Sequence, residues 1–190
     1  MDFLKRIDKY KERLKVAVDN IDPIILNEMI NKILQARDEQ KQIFFMGNGG
    51  SGASASHIVG DLNKGLSLGK TCGKRYRSIS LVDNSPTLLS LANDVSYDDI
   101  FVEQLKNFLN EGDLVIGISG SGNSENILRA VRYAKERGNT VIGLTGFSGG
   151  KLKEEADISL HIPVDDMQIA EDAHMMIGHM IFSVLYHTDC

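Results

Sequence analysis

The sequence predicts an α/β fold in which a parallel five-stranded sheet lies between layers of helices. Short runs rich in isoleucine and valine alternate along the chain with longer amphipathic segments, the pattern of strand–helix–strand units. Strands of this kind are buried by helices on both faces of their sheet. Glycine- and serine-rich turns follow the first and third runs, at the strand ends where such sheets bind ligands.

Two helices are predicted to precede the sheet. In the first, the apolar residues Leu4, Ile7, Leu14 and Val18 recur every three to four positions or at multiples of that spacing. Charged residues lie between them. Asp22 and Pro23 form a typical cap and first turn for a second helix over residues 22–37. These segments form an N-terminal helical extension to the sheet.

The remaining elements alternate. Strands are predicted at residues 42–46, 77–82, 113–119, 140–145 and 158–162. Helices are predicted at residues 51–64, 85–92, 98–109, 124–137, 150–155 and 167–187. Because no linker or low-complexity stretch interrupts this order, we expect one domain over residues 1–190.

Composition narrows the function classes. Apolar residues make up 42% of the 190 residues, charged residues 25%, and the net charge is −5. This balance disfavours nucleic-acid binding, which needs a basic surface, but allows a local anion site. The N-terminus has no signal-peptide pattern, and no apolar run suggests a membrane span, so a cytoplasmic protein is expected. The isolated Cys72 and Cys190 indicate reduced thiols.

Two turns indicate a phosphorylated ligand. Residues 119–124, SGSGNS, lie between a strand and a helix, where backbone N–H groups and the hydroxyls of Ser119, Ser121 and Ser124 can bind phosphate. An ordinary turn capped by Ser124 is the alternative. A second glycine- and serine-rich turn, GNGGS at residues 47–51, follows the first strand. It matches neither the G-x-G-x-x-G pattern of dinucleotide sites nor the Walker pattern of nucleotide triphosphate sites. Two such turns at one sheet edge favour the phosphate interpretation.

Histidines and carboxylates suggest acid–base or metal chemistry. His57 and Asp61 share a helix face at i, i+4 and can bind a metal or act as acid and base, although a surface pair is commoner. Glu171 and His179 belong to a polar cluster on the last helix, for which solvated or core positions are the alternative.

Together these segments resemble the sugar isomerase (SIS) fold, most closely the phosphoheptose isomerases. The resemblance spans nearly the whole chain. It is carried by GNGGS at 47–51, His57, AND at 92–94, GISGSGNSENI at 117–127, VIGLTGFSGGKL at 141–152 and EDAHMMIGH at 171–179. It implies a cytoplasmic homo-oligomer, typically a tetramer whose sites lie between subunits, with residues 1–40 contributing to assembly.

The resemblance also implies site residues. The substrate-binding positions would be Asn48, Gly49, Gly50, Ser51, Asn93, Asp94, Ser119, Gly120, Ser121, Ser124 and Glu171. A zinc ion would be held by His57, Asp61, Glu171 and His179, and Asp61 and His179 would be the catalytic acid–base pair. Four residues depart from the family pattern: Asp61 for Glu, Gly120 for Thr, Gln168 for Asp and Glu171 for Gln.

Geometry adds one expectation about the last helix. Residues 171 and 179 would lie about 12 Å apart along a continuous helix, too far to share one ion. Either the helix begins late, or two subunits build each site.

The implied activity is conversion of sedoheptulose 7-phosphate to D-glycero-D-manno-heptose 7-phosphate for bacterial surface polysaccharide. One alternative is a non-catalytic member of the fold that senses phosphosugars or binds the DnaA initiator. Another is an isomerase of a different sugar phosphate, with Lys70 and its basic neighbours in residues 66–77 selecting a further anionic group.

Overall fold

A computed structural model of the chain describes residues 1–68 and 73–188. It confirms the predicted parallel sheet flanked by helices. The five strands are β1 (Gln42–Gly47), β2 (Arg77–Ser80), β3 (Leu114–Ser119), β4 (Thr140–Thr145) and β5 (Ile158–His161). Lys70, Cys72 and Cys190, for which the sequence suggested roles or states, lie outside the described residues.

Eight α-helices surround the sheet in the described part of the chain. They are α1 (Leu4–Asp19), α2 (Pro23–Asp38), α3 (Gly49–Gly60), α4 (Ser85–Asp94), α5 (Val102–Phe108), α6 (Glu125–Glu136), α7 (Gly150–Glu155) and α8 (Met167–Tyr186). Of the helices that are described, none combines the length and apolar character that a bilayer span requires.

Two predicted helices differ from the structure. The helix expected over 98–109 is divided into a 3₁₀ turn, Tyr97–Asp99, and α5. The Ser96 hydroxyl accepts a hydrogen bond from the Asp98 N–H and starts the separate turn. The helix expected over 51–64 is α-helical only to Gly60 and continues as a π-helical turn, Asp61–Gly65.

Strand order places the two predicted turns side by side. The sheet runs β2-β1-β3-β4-β5, so the chain leaves β1 toward one edge and returns to β3 on the other side. Gly47 at the end of β1 pairs in register with Ile118 near the end of β3. Ligands of open α/β sheets bind at such a reversal point. The two turns therefore flank the position where this topology predicts a ligand.

The core consists of two apolar layers, one on each sheet face. Along β1, Ile43 and Phe45 pack with α2, α3 and α8, whereas Phe44 and Met46 pack with α5 and α6. All four side chains are fully buried. Burial on both faces explains why β1 is continuously apolar from Ile43 to Met46.

The first helix lies outside these layers and packs on α8. The Tyr10 hydroxyl donates a hydrogen bond to Asp172, and Arg13 pairs with Asp166 at 2.8 Å. Much of the apolar surface of α1 faces solvent, including Leu4, Ile7 and Val16, as does Phe3 just before the helix.

Candidate active site

A cavity of about 150 Å³ lies at the carboxyl ends of β1 and β3. It is lined by Asn48, Ser51, Ile118, Ser119, Gly120, Ser121, Ser124, Met167 and Glu171. Seven of these residues are among the predicted substrate-binding positions. Helices α3 and α6 both begin here, so their free N–H groups and positive dipole ends favour an anion. We call this space the serine cavity.

Hydrogen bonds in the 119–124 turn leave hydroxyl protons available. The Ser119 hydroxyl oxygen accepts the Gly122 N–H at 3.1 Å, and that of Ser121 accepts the Asn123 N–H at 3.2 Å. Ser119 and Ser124 hydroxyls lie 3.2 Å apart. The contact between Ser119 and Ser124 uses one hydroxyl hydrogen, so the hydrogen of Ser121 and one hydrogen of the Ser119–Ser124 pair remain to donate to a phosphate oxygen.

Glu171 brings negative charge to the same cavity. Its half-buried carboxylate lies against Gly50, in the first turn of α3, where it takes the space that a Cβ would need. Gly49 and Gly50 are themselves exposed. No lysine or arginine is among the described residues that line the cavity. A phosphate in this cavity would therefore depend on hydroxyls and helix N-termini, and the charge of Glu171 would oppose it.

A second cluster joins α3 to α8. The Nε2 atoms of His57 and His179 are 3.0 Å apart, and the Asp61 carboxylate lies 3.4 Å from His57 Nε2. One ligand atom from each residue falls within 4.8 Å of the others. Ligand atoms of a tetrahedral zinc site are separated by roughly 3.3 Å, given bonds of about 2.0–2.1 Å. Two imidazoles and a carboxylate are also a typical catalytic zinc set, so these residues fit a metal.

Close helix packing creates this cluster. His57 and His179 are next in sequence to Ile58 and Gly178, which meet where α3 crosses α8. A Cβ at position 178 would lie 2.6 Å from Ile58 Cγ1, so only glycine permits this approach. Asp61 begins the π-helical turn, a feature that often marks functional sites because it redirects side chains.

Three predicted site residues, Glu171, Asn93 and Asp94, lie outside the His57–Asp61–His179 cluster, although Glu171 lines the serine cavity. Glu171 and His179 both belong to the continuous helix α8, eight residues or about 12 Å apart, and Glu171 is outside the His57–Asp61–His179 cluster. Asn93 and Asp94 are exposed at the end of α4, where the Asn93 amide donates to the Asp94 carboxylate at 2.7 Å. Their roles stay predictions.

Two polar residues at the site were not predicted. Asn126 and Tyr97 both form hydrogen bonds with the side chain of Asn48. Asn126 stands inside the GISGSGNSENI motif, so its position in that motif was an available signal. Tyr97 lies in an irregular segment without any motif, and only the fold brings it to Asn48.

One buried histidine, His174, belongs neither to the serine cavity nor to the His57–Asp61–His179 cluster. His174 of α8 is fully buried, and among the described residues neither ring nitrogen has a hydrogen-bond partner of ordinary geometry. Burial lowers the pKa of His174 to about 4, an effect that the Thr145 backbone partly offsets. The ring is therefore neutral near pH 7.

Comparison with known proteins identifies the family. Residues 4–146, three-quarters of the chain, match the sequence profile of the SIS domain. The chain belongs to the SIS domain family. It is 39% identical over 160 residues to a phosphoheptose isomerase from Clostridium acetobutylicum, covering 84% of this chain and 80% of that protein.

Two further comparisons agree with this membership. A phosphoheptose isomerase from Helicobacter pylori is 33% identical over 172 residues, which are 90% of this SIS protein and 88% of the relative. The structure of a phosphoheptose isomerase from Francisella tularensis superposes with a TM-score of 0.89 at 28% identity, covering 99% and 100% of the two chains. Both the predicted family and the predicted fold are confirmed.

Proposed function

We propose that this SIS protein is an aldose–ketose isomerase that converts sedoheptulose 7-phosphate to D-glycero-D-manno-heptose 7-phosphate. The observation that carries the proposal is the pairing of two features on helices α3 and α8. One is the His57–Asp61–His179 cluster, and the other is the serine cavity. The relatives named phosphoheptose isomerase supply the substrate class.

The serine cavity would hold the phosphate. Hydroxyls of Ser119, Ser121 and Ser124 donate to its oxygens, together with N–H groups at the start of α6. Asn48 and Ser51 line the adjoining wall, and the exposed Gly49, which has no neighbouring side chain over it, leaves the α3 backbone open to the ligand. Phosphate binding in this place fixes the sugar chain relative to the catalytic groups.

Isomerisation needs a proton to move between adjacent carbons. The Asp61 carboxylate removes a proton from C1 of the ketose, forming an enediol, and returns a proton to C2. His179 protonates O2 and accepts the proton from O1, so that the carbonyl moves from C2 to C1. Atoms and charge balance, because the product is an isomer of the substrate.

A divalent metal, for which zinc is the candidate, fits the same cluster. His57, Asp61 and His179 would hold it. When bound, such an ion polarises the sugar carbonyl and lowers the barrier to removing the neighbouring proton. His57 stands outside the proton transfers, and its role is to hold the ion and orient its neighbours. Metal analysis of the purified protein, before and after a chelator, tests this assignment.

We further propose a homo-oligomer, a tetramer by resemblance, with sites shared between subunits. Within one chain the serine cavity and the cluster lie at separate positions along α8. Glu171 would then complete the metal or substrate site of a neighbouring subunit. Exposed apolar residues on α1 and α8, including Ile7 and Val184, give such an assembly a surface to bury.

Mixing two inactive variants tests the shared site. Ser121→Ala damages the serine cavity, and His179→Ala damages the cluster. If subunits share sites, a mixture refolded together regains part of the activity. If light scattering shows that the two variants have co-assembled and the mixture still has no activity, shared sites are rejected.

The biological setting is also a proposal. We expect a cytoplasmic enzyme, one SIS domain over residues 1–190, that supplies heptose for a bacterial surface polysaccharide. A panel of ketose phosphates, with products read by mass spectrometry, tests the substrate. Preferred turnover of another sugar phosphate would identify a different isomerase, and binding without turnover would favour a non-catalytic member of the fold.

A further inference from the structure

Three polar side chains form a hydrogen-bonded group at the wall of the serine cavity. Asn48 Nδ2 donates to Asn126 Oδ1 at 3.0 Å, and Asn126 Nδ2 donates back to Asn48 Oδ1 at 2.9 Å. The Tyr97 hydroxyl donates to Asn48 Oδ1 at 2.9 Å. We call this set the amide group.

One backbone donor fixes the orientation of both amides. The Ile127 N–H lies 2.9 Å from Asn126 Oδ1 and can only donate, so that atom must be the oxygen. The other end of the Asn126 amide is then a donor, and the atom of Asn48 that faces it must be an oxygen. A flipped Asn48 would place N–H against N–H and oxygen against oxygen across its two contacts with Asn126.

Helix α6 holds both partners of Asn48. Asn126 is in its first turn and is only 1% exposed. Tyr97 begins the 3₁₀ turn, which Arg129 of α6 binds through two hydrogen bonds to Asp99, at 2.9 and 3.0 Å. The amide group is thus part of the fold before any ligand arrives.

These hydrogen bonds leave the Asn48 side chain with one unused hydrogen-bonding group. Its oxygen already accepts two hydrogen bonds, and one of its two N–H hydrogens is used by Asn126. Its second N–H has no partner among the described residues. Asn48 lines the serine cavity and also a neighbouring cavity of about 320 Å³ that Tyr97 lines. It can therefore offer a bound molecule a donor but no acceptor.

We propose that Asn126 and Tyr97 are positioning residues that hold Asn48 as a hydrogen-bond donor to an acceptor oxygen of the sugar phosphate. This inference rests on the proposed function. The donor meets an oxygen that is an acceptor both before and during the reaction, so it strengthens the binding of substrate and transition state alike. Loss of a uniform interaction raises KM and leaves kcat unchanged.

Tyr97→Phe tests the inference, because it removes one hydroxyl from a side chain that is 56% exposed. One hydrogen bond contributes about 0.5–1.5 kcal/mol, so we expect KM for sedoheptulose 7-phosphate to rise about 2–13-fold. We expect kcat to change less than twofold. Tyr133→Phe on α6 is the matched control, since its ring contacts Arg137 and it lies outside the amide group.

A double-mutant cycle shows whether Tyr97 acts through Asn48. In an Asn48→Ala background, Tyr97→Phe should have no further effect on KM. An additive effect, or equal effects of the Tyr97 and Tyr133 variants, would overturn the inference. A fall in kcat without a change in KM would also overturn it.

A spectroscopic readout separates this inference from the proposed function. In ¹⁵N–¹H spectra of the ligand-free protein, the Asn48 side-chain amide is identified by its loss in Asn48→Ala. Tyr97→Phe should shift this signal, whereas Tyr133→Phe should leave it in place. If the shift occurs but the wild-type protein turns over no sugar, the amide group stands and the isomerase proposal fails. If the signal does not move, the positioning role is rejected whatever the activity.

Discussion

Gly178→Ala tests how the His57–Asp61–His179 cluster is built. The added methyl would lie 2.6 Å from Ile58 Cγ1, whereas carbon atoms pack best at about 3.5–4.0 Å. Ile58 is only 1% exposed and β-branched, so it has little freedom to rotate away. The two helices must therefore separate by about 1 Å at the point where His57 and His179 meet.

This displacement affects activity more than stability. A misplacement of about 1 Å in catalytic groups costs roughly a hundredfold in rate, and we expect a fall of that order in kcat. Overpacking a core costs about 1–3 kcal/mol, but alanine is better than glycine in a helix by about 1 kcal/mol. The free energy of unfolding should therefore fall by no more than about 2 kcal/mol.

The assay compares isomerase turnover, zinc affinity and urea unfolding. Gly60→Ala is the control, because Gly60 is helical and an added Cβ there meets nothing within 4 Å. It should keep its activity. Adding Ile58→Ala to Gly178→Ala should restore part of the turnover by making room for the methyl. Full activity and zinc affinity in Gly178→Ala alone would refute the reasoning.

Three further changes have defined outcomes. His174 is neutral in the folded protein, because burial lowers its pKa from 6.5 to about 4. As pH falls from 6.5 toward 4 the unfolded chain takes up the proton first, so stability should drop by on the order of 3 kcal/mol, measured by urea unfolding. His174→Gln should flatten that slope, and an unchanged slope would contradict the assignment. Glu171→Gln removes the charge that opposes phosphate in the serine cavity, so titration with inorganic phosphate should show binding on the order of tenfold tighter. Glu28→Gln on the exposed face of α2 should show no change. His179→Ala should lose both turnover and zinc binding while keeping its unfolding midpoint, because the side chain is exposed.

The fold was accessible from the sequence because its signals are local. Apolar runs predicted all five strands, and the Asp22–Pro23 pair marked the start of α2, where Asp22 does cap the helix. The two helix predictions that were wrong concern segments whose backbone conformation is set by tertiary contacts. The π-helical turn at Asp61 and the separate 3₁₀ turn at Tyr97 have no periodicity of their own, so a continuous helix was the natural prediction.

The site was only partly accessible. Two glycine- and serine-rich turns on neighbouring strands predicted the serine cavity, because strand ends of one parallel sheet meet at one edge. Residues on one helix were harder to assign, since spacing alone could not show whether Glu171 or His174 faces the cluster. The structure turns Glu171 toward the serine cavity and buries His174 in the core. Tyr97 was missed because its contact with Asn48 spans 49 residues of sequence.

The most direct measurement is NMR of sedoheptulose 7-phosphate incubated with the zinc-supplied protein. We expect aldoheptose 7-phosphate to accumulate with the wild-type protein and to be absent with the His179→Ala variant. If the wild-type protein binds the sugar yet leaves it unconverted, the cluster on α3 and α8 is not a catalytic site and the isomerase proposal is wrong.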